Sequence, residues 1–246
     1  AVVTGPVTET VAAPETPPAV NFTDITQQAG IDFVHVNGAY GGKLIPEAIG
    51  SGAAFFDYDN DGDPDLLLVN SNYWPGHEGD DPAQPALYRN DGGGTFTDVT
   101  AQAGLQPGGY GMGVSVGDVD NNGFPDLYLA GYGANRLLFN DGKGGFQDRT
   151  ETAGVDDPRW SVTAVFFDYD SDGWQDLYVV NYVDYSFDNL KVCRSHYDAP
   201  DYCSPQSYRP VADRLLRNRG DGSFENVTAR SGIGAISRPG LGAVAG

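Results

Sequence analysis

Residues 55–70 read FFDYDNDGDPDLLLVN, and this stretch decides the fold because the chain repeats it twice. The other copies are VGDVDNNGFPDLYLAG at residues 116–131 and FFDYDSDGWQDLYVVN at residues 166–181. In every copy an acidic loop with a central glycine joins two apolar stretches. Short apolar stretches on both sides of such a turn predict two antiparallel strands. The copies therefore indicate an all-β protein built from repeats.

The repeated unit extends beyond the acidic loop and has a period of about 50 residues, the spacing between Asp118 and Asp168. The loop is followed by a second apolar stretch, an L-x-x-N turn, an F-x-D-x-T stretch and an Ala-Gly pair. For the middle unit we predict four strands, at Met112–Gly117, Asp126–Ala130, Arg136–Phe139 and Phe146–Thr150. Four-stranded antiparallel units with this period are typical of β-propeller blades. The coils of a β-helix, the alternative architecture, are much shorter.

The repeat also predicts how the chain is divided. Residues 1–20 are rich in Pro, Thr and Val, which indicates an extended N-terminal segment. Propeller repeats are expected over residues 21–246, as a partial blade at 21–30, blades at about 50–104, 105–154 and 155–232, and a partial blade at 233–246. Strands are expected in both partial blades, at Phe22–Thr26 and Gly240–Gly246. Because a closed propeller needs at least about four blades, we expect either a longer propeller or completion by another copy of the chain.

The three acidic loops carry oxygen-bearing side chains at positions one, three, five and nine. Position six is Gly, which permits a sharp turn, and position seven can offer its backbone carbonyl. Such oxygen ligands suit Ca²⁺, whereas Zn²⁺ prefers Cys and His, and Mg²⁺ usually keeps several waters. An EF-hand is excluded because position twelve, where that motif needs Glu, is Leu68, Leu129 or Val179. We therefore predict three calcium sites with these candidate residues: Asp57, Asp59, Asp61, Asp63 and Asp65; Asp118, Asp120, Asn122, Phe124 and Asp126; Asp168, Asp170, Asp172, Trp174 and Asp176.

Charge and cysteine content limit the partners and the compartment. The chain has 34 acidic and 14 basic residues, a formal net charge of −20, so nucleic acid would be repelled. No apolar run reaches the length of a membrane span. Cys193 and Cys203 lie in one irregular stretch, which predicts a disulfide and an oxidising compartment. We therefore expect a secreted, extracellular or cell-surface protein.

The sequence shows no set of catalytic residues. His35, His77 and His196 are scattered, with no Cys, Ser or carboxylate at a recurring spacing. We therefore expect a non-catalytic module for adhesion, for protein or carbohydrate binding, or for surface scaffolding, with calcium in a structural role. Two alternatives remain open. One is a subunit of an extracellular filament that self-associates through its N-terminal segment or edge strands, and the other is a calcium-dependent propeller hydrolase or lyase.

The acidic loops and LYRNDGGGTFTDVTAQAGL at residues 87–105 resemble the FG-GAP-like (VCBS) repeats, and their combination is similar to the cartilage acidic protein/ASPIC–UnbV group. The resemblance covers about residues 20–246. It implies a propeller similar to the integrin head, usually of seven blades, with calcium in the acidic loops. It also implies that the side chains at positions one, three, five and nine are the ligands. The chain has fewer blades than seven.

Overall fold

The computed structural model describes residues 20–79, 83–105 and 108–245. The segment predicted at residues 1–20 lies outside these ranges except for Val20. The described residues are organised around three four-stranded antiparallel sheets. The first contains β1 (Ala53–Phe56), β2 (Asp65–Leu68), β3 (Ala86–Asn90) and β4 (Phe96–Asp98); the second contains β5 (Tyr110–Gly117), β6 (Asp126–Tyr132), β7 (Arg136–Asn140) and β8 (Phe146–Asp148); the third contains β9 (Ser161–Phe167), β10 (Asp176–Asn181), β13 (Arg214–Asn218) and β14 (Phe224–Asn226).

The remaining elements are short. A two-stranded ribbon of β11 (Cys193–Arg194) and β12 (Pro200–Asp201) lies in the long connection between β10 and β13. The helices described are α1 (Thr150–Ala153), α2 (Thr228–Ser231) and the 3-10 turns Ile45–Ala48, Phe187–Asn189, Pro205–Ser207 and Ile233–Ala235. Within the described ranges, none of these helices has the length and apolar character of a membrane span. The all-β class predicted from the sequence is confirmed.

The four strands predicted for the middle unit are present, and their order in the sheet follows their order in the chain. The fourth strand ends at Asp148, earlier than predicted, because Thr150 begins α1. The Asp148 carboxylate accepts the Thr150 N–H at 3.0 Å, and this contact holds the start of the turn. Boundaries of this kind depend on local capping contacts, which hydrophobic patterns do not report.

The middle sheet supplies side chains to two separate cores. Leu127 packs with Leu67 and Leu87 of the first unit, whereas its neighbour Tyr128 packs with Leu177 and the rest of the core shared with the third unit. All five of these side chains are fully buried. Successive side chains of a strand point to opposite faces of the sheet, so a sheet covered on both faces is apolar at consecutive positions. This is why the strand after each acidic loop has no polar alternation.

The first strands of the sheets approach one another closely. Strand β5 lies between β1 and β9. A Cβ atom added at Gly113 of β5 would lie 2.5 Å from the Val162 carbonyl oxygen of β9. A contact this short excludes any side chain, so glycine is required where the units converge.

The residues that end each unit form the same hydrogen-bonded turn, including residues 24–31 before the first sheet. In that turn the Ala29 N–H donates to the Ile25 carbonyl at 2.8 Å, as in the turns that follow β4 and β8. The Ala29 carbonyl then accepts the Phe96 N–H at 2.8 Å, and the Ala103 carbonyl accepts the Phe146 N–H at 2.9 Å. Residues 24–31 therefore contact the first unit as the first unit's turn contacts the second.

The strands predicted in the two partial blades are not formed, which corrects the sequence-based expectation. Residues Phe22–Thr26 have no strand, and the Phe22 side chain is 96% exposed. Residues 240–245 also have no strand, although the Gly240 N–H donates to the Asn181 carbonyl at 3.2 Å. A terminal strand needs backbone pairing over several residues. Among the described residues, the backbone pairing of residues 240–245 with β10 is limited to this single hydrogen bond. The blade boundaries themselves stay a prediction.

Aromatic side chains from the connections and sheet ends form a buried cluster. Trp74 stacks on Tyr110 with ring centroids 4.5 Å apart, and Trp160 meets Tyr182 edge to face at 5.0 Å. The disulfide between Cys193 and Cys203, predicted from the sequence, is present beside this cluster with an S–S distance of 2.02 Å. Both tryptophans are buried, so they contribute to the packing of this cluster.

Two asparagines of the L-x-x-N turns connect each unit to the one before it. The Asn140 Nδ2 group donates to the Tyr58 carbonyl of the first unit at 2.8 Å, and Asn218 donates to the Val119 carbonyl of the second at 2.7 Å. Both side chains are buried. Asn140 and Asn218 also donate to a carbonyl of their own unit, that of Pro125 and Gln175 respectively. Asn90 holds the same position in the first unit and makes this own-unit contact, to Pro64 at 3.0 Å, without a contact to a preceding unit.

The substitution Asn140→Ala should lower the free energy of unfolding by about 2–3 kcal/mol, because it leaves buried backbone groups of two units without a partner. The matched substitution Asn90→Ala removes the same side chain without a contact to a preceding unit, and should cost about 1 kcal/mol. Urea unfolding of both variants measures the difference. Equal losses would show that the contact between units contributes nothing.

Candidate metal centres

The backbone of each acidic loop is held by the carboxylate at position one. The Asp118 Oδ1 atom accepts the Asn122 N–H at 3.0 Å, and its Oδ2 atom accepts the Gly123 N–H at 2.8 Å. Asp57 and Asp168 make the corresponding two contacts in their loops. The first aspartate therefore bends the chain over its own carboxylate.

The bend requires residues with positive φ at positions four and six. In the second loop Asn121 has φ of 54° and Gly123 has φ of 87°. Side chains larger than hydrogen are strained in this region, and Asn tolerates it better than most. The Asn121 amide also reaches the third loop, where it donates to the Gly173 carbonyl at 3.3 Å. Asn60 reaches the second loop in the same way, donating to the Gly123 carbonyl at 2.8 Å.

The aspartate at position nine is fully buried in every loop and accepts two backbone N–H groups. The Asp126 carboxylate accepts from Val119 at 2.9 Å and from Asn140 at 2.7 Å. It thereby joins the start of the loop to the end of the third strand. Burial raises the pKa of Asp126 to about 7, against the lowering effect of these two hydrogen bonds. Burial also raises the pKa of Asp65 and Asp176, which make the equivalent contacts.

Three aspartates of each loop bring one carboxylate oxygen apiece to within 4.8 Å of the other two. The groups are Asp57, Asp59 and Asp61; Asp118, Asp120 and Asp126; and Asp168, Asp170 and Asp176. Of the predicted ligands, position nine thus joins the group in the second and third loops, whereas position five replaces it in the first. Asp63, Phe124 and Trp174 each donate their N–H to the side-chain oxygen of position five.

The donor atoms fit a hard divalent cation. All of them are oxygens, which Ca²⁺ prefers, and their mutual repulsion favours a positive charge among them. The Asp59 Oδ1 atom is buried and has no hydrogen-bond partner among the described residues. Burial, followed by the nearby charge of Asp61, raises the pKa of Asp59. A cation in this loop would supply the missing partner.

One hydrogen-bonded group was not indicated by the sequence. His35 Nε2 lies 3.0 Å from Ser51 Oγ and 3.3 Å from Ser71 Oγ, and both hydroxyls donate to the Gly111 carbonyl at 2.9 Å. The two serine hydroxyl oxygens also lie 2.8 Å apart, so His35, both serines and the Gly111 carbonyl form one connected hydrogen-bonded group. The group joins the first unit to the second. No repeated spacing exists that could have revealed it.

The loop geometry predicts that Gly123→Ala lowers the free energy of unfolding by about 1–2 kcal/mol, the cost of a side chain in the left-handed region. No atom lies within 4 Å of the added Cβ, so the cost is conformational alone. Gly50→Ala is the control, since that position is equally open but does not have positive φ. It should change stability by less than about 0.5 kcal/mol. Urea midpoints in EDTA give both values, and equal effects would contradict the prediction.

Similarity to known proteins is found among solved structures and in one repeat family. No curated protein matches the chain. Among solved structures, it is similar to an Agrocybe aegerita lectin described as specifically recognising non-reducing terminal N-acetylglucosamine, with 17% identity and a TM-score of 0.34. The match covers 70% of this chain and 36% of the lectin chain, so this chain spans about a third of that protein. A TM-score of this size supports no conclusion about the ligand.

The FG-GAP-like repeat model matches residues 57–129 and 118–179, which together cover 123 of the 246 residues. The specific resemblance to the ASPIC–UnbV group stays a prediction. Both matches begin at the first aspartate of an acidic loop, and they end at Leu129 within β6 and at Val179 within β10. The chain therefore belongs to the FG-GAP-like repeat family.

Proposed function

We propose that this chain is a calcium-binding β-propeller module that acts outside the cell in adhesion, ligand binding or scaffolding. The observation that carries the calcium proposal is the recurrence of one loop geometry three times, with three carboxylate oxygens converging in each copy. The unpartnered Asp59 oxygen adds independent support, because a buried acceptor of this kind calls for a donor or a cation.

In this proposal Ca²⁺ has a structural role. It would be held by the converging carboxylates and by the position-seven carbonyls of Asp63, Phe124 and Trp174, and it would neutralise charge that the loops concentrate. The loops lie in a row because Asn60 and Asn121 each donate to the next loop. Filling the loops would therefore stabilise the edge along which neighbouring units meet.

We propose a propeller because the contacts between neighbouring units repeat. The turn at residues 24–31 occupies the place of a preceding unit's turn, since Ala29 receives the Phe96 N–H. The Asn90 amide holds the position from which Asn140 and Asn218 reach the preceding unit. These contacts support further units on that side of the first sheet, in keeping with the seven blades that the resemblance implies.

The strands of such further units have two possible sources, which are other parts of a longer polypeptide or a second copy of this chain. Sedimentation over a dilution series separates them. Mass above that of a monomer, falling on dilution, indicates completion by a second copy and favours the filament alternative. A monomer at every concentration excludes self-completion by the residues present.

We propose a non-catalytic role, and a protein or carbohydrate as the ligand. Each of the three described histidines has a contact that does not require catalysis: His35 bonds to two serines, His77 stacks on Tyr40 with ring centroids 3.6 Å apart, and His196 meets Tyr197 edge to face at 5.3 Å. The disulfide supports an extracellular location. Turnover on a panel of polysaccharides would instead favour the calcium-dependent hydrolase or lyase.

Calcium should raise the thermal midpoint, and EDTA should lower it. Each loop saturated to about 100 times its Kd adds about 2.7 kcal/mol to the free energy of unfolding. Calorimetric titration should count three bound ions. Asp120→Asn should remove one binding event, whereas Asp63→Asn makes the same charge change on an exposed carboxylate outside the converging group and should retain three. Identical midpoints in EDTA and in Ca²⁺ would contradict the proposal.

A further inference from the structure

A positively charged side chain contacts the carboxylates of the third acidic loop. Arg217 immediately precedes Asn218 on β13, and its guanidinium points into the loop. The Nε group lies 2.6 Å from Asp170 Oδ2, and the Nη2 group lies 2.6 Å from Asp172 Oδ2. These are positions three and five of the loop, both candidate calcium ligands. All three side chains are less than one-third exposed, so solvent screens the contacts only in part.

The first two loops do not have this contact. The residue equivalent to Arg217 in the second unit is Phe139, which carries no charge. In the first unit it is Arg89, whose Nη2 group lies 2.7 Å from Asp91 Oδ1 instead. Among the described loops, the third is therefore the only one in which a guanidinium contacts candidate calcium-ligand oxygens.

The sequence explains why the two arginines differ. Asp91 follows Asn90 in the first unit and gives Arg89 a carboxylate two residues away. The equivalent residue in the third unit is Arg219, which offers no acceptor and repels a second guanidinium. Arg217 consequently turns to the nearest carboxylates, which belong to the acidic loop. The charge of this one turn residue, negative in Asp91 and positive in Arg219, thus decides which carboxylates the arginine contacts.

We propose that Arg217 is an internal counterion that competes with Ca²⁺ for the third loop, so that this loop binds Ca²⁺ more weakly than it would with a neutral residue there. The inference rests on the proposed calcium function. A cation that enters must break two charge-assisted hydrogen bonds and displace a like charge. The third loop therefore responds to calcium over a higher concentration range, and part of its negative charge stays compensated by Arg217 when calcium is low.

The test is Arg217→Gln, compared with Arg89→Gln and with the charge-retaining Arg217→Lys. Titration with Tb³⁺, sensitised through tryptophan, reports on the third loop because Trp174 lies at its position seven; the part of the signal lost in Trp174→Phe identifies that loop. Loss of charge-assisted bonds of this strength should shift the third-loop midpoint to concentrations about tenfold lower or more. Arg89→Gln should leave that midpoint unchanged, and Arg217→Lys should stay near the wild-type value.

A third-loop midpoint that is unchanged or higher in Arg217→Gln overturns the inference, provided that circular dichroism shows a folded variant. Calorimetric titration with Ca²⁺ separates this result from failure of the proposed function. If ions bind in the first two loops and Arg217→Gln has no effect, the result contradicts the counterion inference but not the proposed calcium function. Absence of ion binding from the wild type and from every variant contradicts both. Binding in the third loop of Arg217→Gln but not of the wild type supports the counterion.

Discussion

The structure depends on a buried carboxylate at the ninth position of each acidic loop. Asp126 and its two equivalents are completely buried, and each accepts one N–H from the loop and one from the third strand of the same sheet. A buried charge is costly, and the raised pKa of Asp126 shows that two hydrogen bonds do not offset the whole cost. The neighbouring carboxylates at positions one and three increase the cost further. The loop therefore concentrates negative charge at the point where the sheet needs a fixed connection, and this is the physical basis of the calcium binding that we propose.

The same loops connect the units to each other. Position two offers its carbonyl to the asparagine of the following unit, and the asparagine at position four donates to the next loop. At the other end of the strands, glycine allows the backbones to approach to a distance that no side chain would permit. Apolar side chains fill the space between these two regions. Each unit is thus fixed to its neighbour by polar contacts at one end and by close backbone packing at the other.

The sequence predicted the features that are set by residues close together in the chain. The strands of the middle unit, the acidic turns and the Cys193–Cys203 pairing follow from local spacing. The aspartate at position nine was predicted only as a ligand, because its contact with Asn140 depends on how the strands pair. The role of Asn218 between units required the three-dimensional arrangement for the same reason. The predicted terminal strands were wrong because a strand is defined by its partner as well as by its own residues. The contact of Arg217 depends on the turn residue two positions later, which is Arg219 here and Asp91 in the first unit. A search for repeated residues ignores such a difference, so it could not predict this contact.

Leu127 and its neighbour Tyr128 face different cores, and this has a consequence for how the protein unfolds. Since the middle sheet contributes to both cores, its melting would expose the inner faces of both neighbours at once. An outer unit has only one such neighbour within the described chain, and can detach at the expense of a single interface. The array should therefore lose order from its ends inward, with amide protons of β6 exchanging last and those of the outer sheets exchanging through partial opening. Cooperativity in this chain is a property of shared sheets, and its extent grows with every unit added.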